Sequence, residues 1–426
     1  MSIHQSLRQA GVIFSRVVFD SRHVEPGDLF FALRGVQTDG HLFLAHAAAR
    51  GAAAAVVEDK YVASVASLPL FFVENSLVAL QQMALEKVQQ EKPRIVAVTG
   101  SYGKTTTKDF IAQLLQPNLP VWSTPGNQNS QIGLPVAILN KEDTAPIWVL
   151  EMGMNQPGEL ERLVQLAPPE VAVLTQVGLV HVASFGSLEG IAREKSQIFS
   201  HPLTKRGFLA ADLSQEIWLT GLCQKTSFAV EKPADYQLTE KPNGGFVVEE
   251  YGNKMELPPL PLPGKHNLHN LLGAISVARY FGVSWESIRE TIPHVKLPKK
   301  RLEWIEKNGI RFLNDSYNAS AQAVKGAIFA LREQRAKEGG RGRLVAALGS
   351  IKELGSFSPA VHQEIALFAK EHLDQIFWMG EDWGLQDFLF FDKSKLKEAL
   401  FAYVRPGDWV LVKGARSDAL WELVEF

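Results

Sequence analysis

Residues Arg94–Thr107 read RIVAVTGSYGKTTT, and the fold follows from how that stretch is built. The apolar run Ile95–Val98 reads as a buried strand. It stops at Thr99 and Gly100, and helical character starts at Thr105. Between them Gly100 and Gly103 free the backbone to curl, and Lys104 follows. Strand, glycine turn, Lys and helix in that order make a phosphate cradle. Amides at a helix N-terminus and the helix dipole attract an anion, a Lys reaches the outer phosphates, and the hydroxyl of Thr105 is placed to hold Mg²⁺. The spacing is T-G-x-x-G-K-T-T; the longer G-x-x-x-x-G-K-[ST] would need Gly where Val98 stands. A glycine turn that binds nothing is the plain alternative, and the order of the four parts argues against it.

The rest of the composition narrows the class. A chain of 426 residues, 46% hydrophobic and 21% charged, is an ordinary globular one with room for about two to four domains. Its formal net charge of -2 gives no reason to expect nucleic acid. A single cysteine, Cys223, excludes an internal disulfide and fits a reducing compartment. The opening MSIHQSLRQAG lacks the charged-then-apolar pattern of a signal peptide, and no apolar run approaches the ~18 residues of a membrane span. The expectation is a cytoplasmic enzyme with no membrane or nucleic-acid partner, acting as a monomer.

Outward from the cradle, the sequence alternates strands and helices, as a mostly parallel sheet requires. Residues 1–85 read as a small α/β unit with Asp20-Ser21-Arg22 at a strand end. That triplet offers a hydroxyl and a guanidinium to an anion or a uracil-like edge, or is simply a cap and surface pair. Glu86–Pro93 reads as a linker. Within 86–297, Ile147–Leu150 meets Glu151, and Val171–Leu174 leads to a loop holding His181. Ligands of open α/β sheets sit at such strand ends, so Thr105, Glu151 and His181 are candidates to meet at a metal beside the phosphates. Ser187–Phe199 reads as a helix capped by Ser187, with Leu188, Ile191, Ala192, Ile198 and Phe199 on one face. Lys195 falls in the middle of that face. It is a snorkelling or salt-bridged Lys, or a functional one that binds phosphate or becomes a CO₂-derived carbamate. Asn267 and Asn270, three apart on a helix, either read a base edge or sugar, or Asn267 is a cap. Ile292–Lys300 reads as a second linker, Arg301 as the opening of a strand, and 298–426 as a third, doubly wound α/β domain.

With these residues in view the chain resembles the Mur ligase family of ATP-dependent amide ligases over nearly its whole length. The motifs that carry the resemblance are TGSYGKTTTK, LEMGMN, HVASFGSLEGIAREK, GKHNLHN, NDSYNAS and LVKGARS. DSR followed by PGDLFFAL, TPGNQNSQIGLP and GSIKELG are similar to the branch that joins D-alanyl-D-alanine to a UDP-N-acetylmuramoyl-tripeptide in peptidoglycan precursor synthesis. The resemblance implies an α/β, three-domain architecture: a small N-terminal α/β domain for the UDP end, a central P-loop parallel-sheet ATPase domain, and a C-terminal Rossmann-like domain. It implies ATP, one or two Mg²⁺ ions, and an acyl-phosphate intermediate.

Carried over residue by residue, the ATP side comprises Gly100, Ser101, Gly103, Lys104, Thr105 and Thr106, with Asn267 and Asn270 near the adenine, Arg301 at phosphate and Asp315 at the ribose. Thr105 and Glu151 hold one Mg²⁺; His181 and Lys195, the latter as a carbamate, serve a second. Lys104, Lys195 and His181 are the catalytic candidates; Ser21, Arg22, Asn127 and Asn129 are the substrate-binding ones. Ser320-Ala321 after SYNA and KGAR in place of KGSR depart from the usual pattern, both in the third domain, and bear on how the dipeptide is held. The alternatives are another Mur-type or folylpolyglutamate-type ligase, and a non-ligating nucleotide-binding ATPase.

Overall fold

The computed structural model describes residues 3–35, 38–58, 68–180, 182–213, 221–242, 244–384 and 386–425. They form three sheets, one after another along the chain. The first has four parallel strands in sequence order: β1 Val17–Val18, β2 Leu29–Phe31, β3 Ala54–Glu58 and β4 Leu70–Val73. The second holds β5 Arg94–Thr99, β6 Val121–Ser123, β7 Ile147–Glu151, β8 Val171–Leu174, β9 Arg206–Ala210, β10 Gln224–Val230, β11 Tyr236–Glu240, β12 Phe246–Glu250 and β13 Asn253–Leu257. Their order is β13-β12-β11-β10-β9-β8-β5-β7-β6, parallel except where β12 meets β11 and β13. The third holds β14 Glu303–Lys307, β15 Ile310–Asn314, β16 Leu344–Gly349, β17 Gln375–Met379, β18 Leu389–Phe390 and β19 Trp409–Lys413, ordered β14-β15-β19-β16-β17-β18 with only β14 antiparallel.

β5 is apolar without alternation because both its faces are covered. Val96 and Val98 pack under the helices Lys104–Leu115 and His266–Tyr280 through Phe110, Ile111, Leu271 and Ile275. Ile95 and Ala97 face Leu134, Leu160 and Ile191 on the other side. β16 is divided likewise, with Ala346 in one core and Val345 in the other, so the third sheet is doubly wound as expected.

Three readings change. Glu86–Pro93 is mostly helix rather than linker: the helix Ser76–Glu91 runs on to Glu91, with Lys92 as its C-cap, and is capped at its start by the Asn75 side chain, which accepts from the Val78 amide at 2.9 Å. Its polar residues are a working outer face, with Lys87 Nζ donating to the carbonyls of Leu139 (3.0 Å) and Lys141 (2.7 Å). Arg301 does not open a strand but sits in a bend between Lys300 (φ +64°) and Leu302 (φ +47°), and β14 begins two residues later. In the helix Leu188–Ser196, Ser187 caps as read and Lys195 is buried, but Leu188 is 48% exposed and lies off the buried face.

Candidate active site

Strand register assembles the site. Val98 of β5 pairs with Glu151 of β7, and Thr99 pairs with Leu174 of β8. Three neighbouring parallel strands therefore end together, and Gly100, Glu151 and Thr175 emerge side by side at the carboxyl edge of the sheet. The glycines are required there. Gly100 has φ +153°, and a Cβ on it would lie 2.0 Å from Thr175 Oγ1. Gly103 has φ +79°, and a Cβ would lie 2.3 Å from Asn270 Oδ1 on the helix His266–Tyr280. The first bond of the cradle helix runs from the Thr107 amide to the Gly103 carbonyl at 2.8 Å. The amides of Lys104, Thr105 and Thr106 thus precede the helical ladder, the arrangement that suits an anion.

The charges around this turn are arranged for a ligand. Lys104 Nζ donates to the Gly100 carbonyl at 2.7 Å. Burial holds its pKa below the usual lysine range; Glu151 pulls it back up and Arg301 pushes it further down. Glu151 is 1% exposed. Its Oε1 accepts from Asn129 Nδ2 at 2.5 Å, while its Oε2 is buried with no hydrogen-bond partner among the described residues. A buried carboxylate oxygen left alone is costly, and a cation is its natural complement. Thr105, also buried, accepts from Arg301 Nη2 at 3.0 Å. Lys195 is 1% exposed and has no hydrogen bond or ion pair among the described residues. Burial drives its pKa well below the ordinary value, the Lys104 cation drives it further, and Glu194 opposes both. Cradle and inward-facing amine, far apart in sequence, thus share one electrostatic neighbourhood.

The other candidates fall into groups. Asn270 Nδ2 donates to Asn267 Oδ1 at 3.3 Å and Asn270 Oδ1 accepts from Thr107 at 3.3 Å, so the pair lies directly against the cradle helix. Asn267 is inside the helix, not its cap. Asp315 accepts from Lys413 Nζ at 2.5 Å and from the Leu302 amide at 3.2 Å. Ser101 spends its donors locally: its amide goes to the Gln176 carbonyl (2.6 Å) and its hydroxyl to the Gly178 carbonyl (2.9 Å), fastening the cradle to the loop after β8. Ser21 and Arg22 lie on the N-terminal unit, Ser21 buried beside His46 Nδ1 (3.0 Å) and Arg22 exposed and paired with Asp20 at 2.6 Å. The Asn127 carbonyl accepts from the Asn129 amide at 2.8 Å. His181 lies outside the described residues.

Several site residues were not singled out from the sequence. Tyr102 hydrogen-bonds Ser320, the cap of the helix Ala321–Lys337 in the third domain. The Tyr317 ring lies under Arg301 (4.5 Å) and Arg416 (5.9 Å), and its hydroxyl is buried without a hydrogen-bond partner among the described residues. Glu353, at φ +67°, acts on Lys104 through its charge. Their signal is tertiary: Tyr317 and Glu353 come to the cradle from the third domain, and Tyr102, within the cradle, meets its partner Ser320 there. Among the described residues no group of three or more His, Cys, Asp and Glu gathers to hold a metal by itself. Thr105 and Glu151 therefore suit an ion that takes its remaining oxygens from a phosphate.

Comparison with known proteins agrees with this geometry. The chain is 33% identical to the UDP-N-acetylmuramoyl-tripeptide–D-alanyl-D-alanine ligase of Bacillus subtilis, over 96% of this chain and 92% of that one. The chain belongs to the Mur ligase family. Profiles described as the Mur ligase family catalytic domain, the Mur ligase middle domain and the Mur ligase glutamate ligase domain match residues 14–100, 98–278 and 300–416. The ligase of the same name from Escherichia coli is 30% identical over 99% of this chain and 95% of its own. Among solved structures, a MurF ligase from Thermotoga maritima in complex with ADP superposes with a TM-score of 0.81 at 30% identity, covering 97% of each chain. One from Acinetobacter baumannii gives 0.83 at 27% identity, over 99% of this Mur ligase and 97% of that chain. The three-domain α/β architecture and the use of ATP expected from the motifs stand on these matches. No helix among the described residues of this Mur ligase is long and apolar enough to cross a membrane.

Proposed function

We propose that this Mur ligase joins D-alanyl-D-alanine to UDP-N-acetylmuramoyl-tripeptide, with ATP activating the tripeptide carboxylate as an acyl phosphate. The observation that carries the reading is the cradle itself: two glycines jammed against Thr175 and Asn270, with Lys104 and the unpartnered Glu151 Oε2 beside them. Its named relatives, similar over nearly the whole chain, support the choice of substrates.

A carboxylate resists attack by an amine at neutral pH, so the enzyme's work is positioning and charge stabilisation. Lys104 and the cradle amides hold the transferred phosphoryl group. Thr105 and Glu151 would hold Mg²⁺, which when bound neutralises charge on the phosphates. The dipeptide amine attacks the activated carbonyl, and the tetrahedral species collapses to amide and phosphate. Asn267 and Asn270 serve the adenine side, Arg301 and Asp315 close over the nucleotide from the third domain, and Asn127 and Asn129 border the acyl substrate. Ser21 and Arg22 hold the UDP end. Lys195 is carbamylated in this reading: burial and the Lys104 cation lower its pKa and so favour the neutral amine, the form that adds to CO₂ with loss of one proton, and the resulting carboxylate, with His181, would hold a second metal ion. Residues 1–85, 86–297 and 298–426 divide the work as UDP, ATP and ligation domains, with the helix Ser76–Glu91 spanning the first junction. The enzyme works in the cytoplasm as a monomer.

The experiment is an omission assay with product mass as readout. ADP release is expected to require both UDP-linked tripeptide and D-alanyl-D-alanine, and the product to equal their sum less water. Free D-glutamate, L-lysine or diaminopimelate serving as well as the dipeptide would overturn the assignment. ATP hydrolysis indifferent to both substrates would point to a non-ligating ATPase.

A further inference from the structure

Lys108 stands on the cradle helix one turn beyond Lys104, and nothing in the phosphate chemistry requires it. It is 1% exposed on a helix that otherwise buries Phe110, Ile111, Leu114 and Leu115. An ammonium has three N–H donors, and a buried one is tolerated when all are met. Here all are met: Nζ lies 2.6 Å from the Thr124 carbonyl, 3.2 Å from the Gly126 carbonyl and 2.8 Å from Asp109 Oδ1. Two of the three acceptors are backbone carbonyls of the loop that follows β6, beyond its last pair with β7, Ser123 with Val149.

That loop leads directly to the carboxylate of the site. Thr124 Oγ1 accepts from the Glu151 amide at 3.1 Å. Asn129, five residues on, donates from Nδ2 to Glu151 Oε1 at 2.5 Å, and its carbonyl accepts from the Gly153 amide at 2.7 Å. A chain of contacts thus runs from the cradle helix through Lys108 to the 124–129 loop and on to Glu151. We propose that Lys108 is a positioning residue that fastens the acyl-substrate loop to the phosphate cradle, fixing Asn129 and Glu151 relative to the nucleotide. It would do so without touching either substrate, and the inference rests on the ligase reading above for what that loop binds.

The test uses the full chain with Lys108→Met, which keeps the bulk and removes the donors, and Lys108→Arg, which keeps charge and donors. Dissociation constants for ADP and for UDP-N-acetylmuramoyl-tripeptide are measured separately by calorimetry, then kcat and both KM values by ADP release. Lys108→Met should weaken the UDP-linked tripeptide at least about tenfold and lower kcat by a similar factor, with ADP affinity within about threefold of the parent. Lys108→Arg should recover part of the loss. Adding Lys108→Met to Asn129→Ala should cost little beyond the worse single change, because both break one chain of contacts. Equal loss of ADP and tripeptide affinity would mean a merely structural Lys, and unchanged tripeptide affinity would also overturn the proposal. If Lys108→Met does not fold, Lys108→Gln, with two donors at shorter reach, is judged by the same criteria. The binding measurements need no turnover, so a failure of the ligase reading, seen as parent protein that makes no product, is distinguishable from a failure of the Lys108 role.

Discussion

At Gly103 one methyl group is enough to probe the cradle. Gly103→Ala would force a side chain onto φ +79° and against Asn270 Oδ1, so ADP affinity should fall by at least about tenfold in a titration. Lys195→Ala should cut ligation at least about a hundredfold, with partial recovery when a short carboxylic acid is supplied to replace the carbamate; undiminished ligation would remove Lys195 from the mechanism. The stability effect has the opposite sign. As a free amine, before CO₂ adds, Lys195 has a folded pKa below its unfolded value, so below the ordinary lysine pKa the unfolded chain binds a proton that the folded chain binds less readily. That cost disappears only above the ordinary lysine pKa, and Lys195→Met should therefore keep or raise the melting temperature at neutral pH. At this scale the sequence was partly legible. Helical period alone turned Lys195 inward, and Lys108 carried the same signal, with Ile111 and Leu115 three and seven residues on, without being read. The approach of Asn270 to Gly103 was not legible, because a packing distance between two helices leaves no local trace.

Among the elements, the neighbouring strands β16 and β19 depend on one carboxylate beside their starts. Asp408 accepts from the Arg343 amide (3.1 Å), Arg343 Nη2 (2.6 Å) and the Arg405 amide (2.9 Å). Burial pushes its pKa up, but the Arg343 guanidinium and the two amides outweigh that and hold it below the usual aspartate value. A depressed carboxylate contributes stability above its unfolded pKa and loses it as the pH falls through the folded one. Asp408→Asn should cost about 1–3 kcal/mol at neutral pH and flatten the acid limb of the denaturation curve, checked by urea unfolding at several pH values. The strands themselves were readable because buried parallel strands are apolar throughout. The Glu86–Pro93 helix end was misread for the converse reason: a polar outer face and a following proline look like a linker when Val88 within it is not counted with the buried Leu80, Met83 and Ala84 just before it.

Across the whole molecule, motif order announced three α/β sheets in sequence, but not how the third meets the second. Arg301 makes that junction, donating to Thr105 while stacking on Tyr317 at 4.5 Å. Arg301→Ala should raise the ATP KM about tenfold and leave the melting temperature nearly unchanged, since the contact is between domains and partly exposed. Unaltered ATP KM would mean that the third domain closes on the nucleotide by other contacts. The central claim, that the cradle spends ATP on a carboxylate for a dipeptide amine, is tested most directly by oxygen tracing. UDP-N-acetylmuramoyl-tripeptide labelled with ¹⁸O in its terminal carboxylate is turned over with ATP and D-alanyl-D-alanine, and the released phosphate is weighed. One labelled oxygen in the phosphate for each amide formed is the predicted result; unlabelled phosphate accompanying amide formation would contradict it.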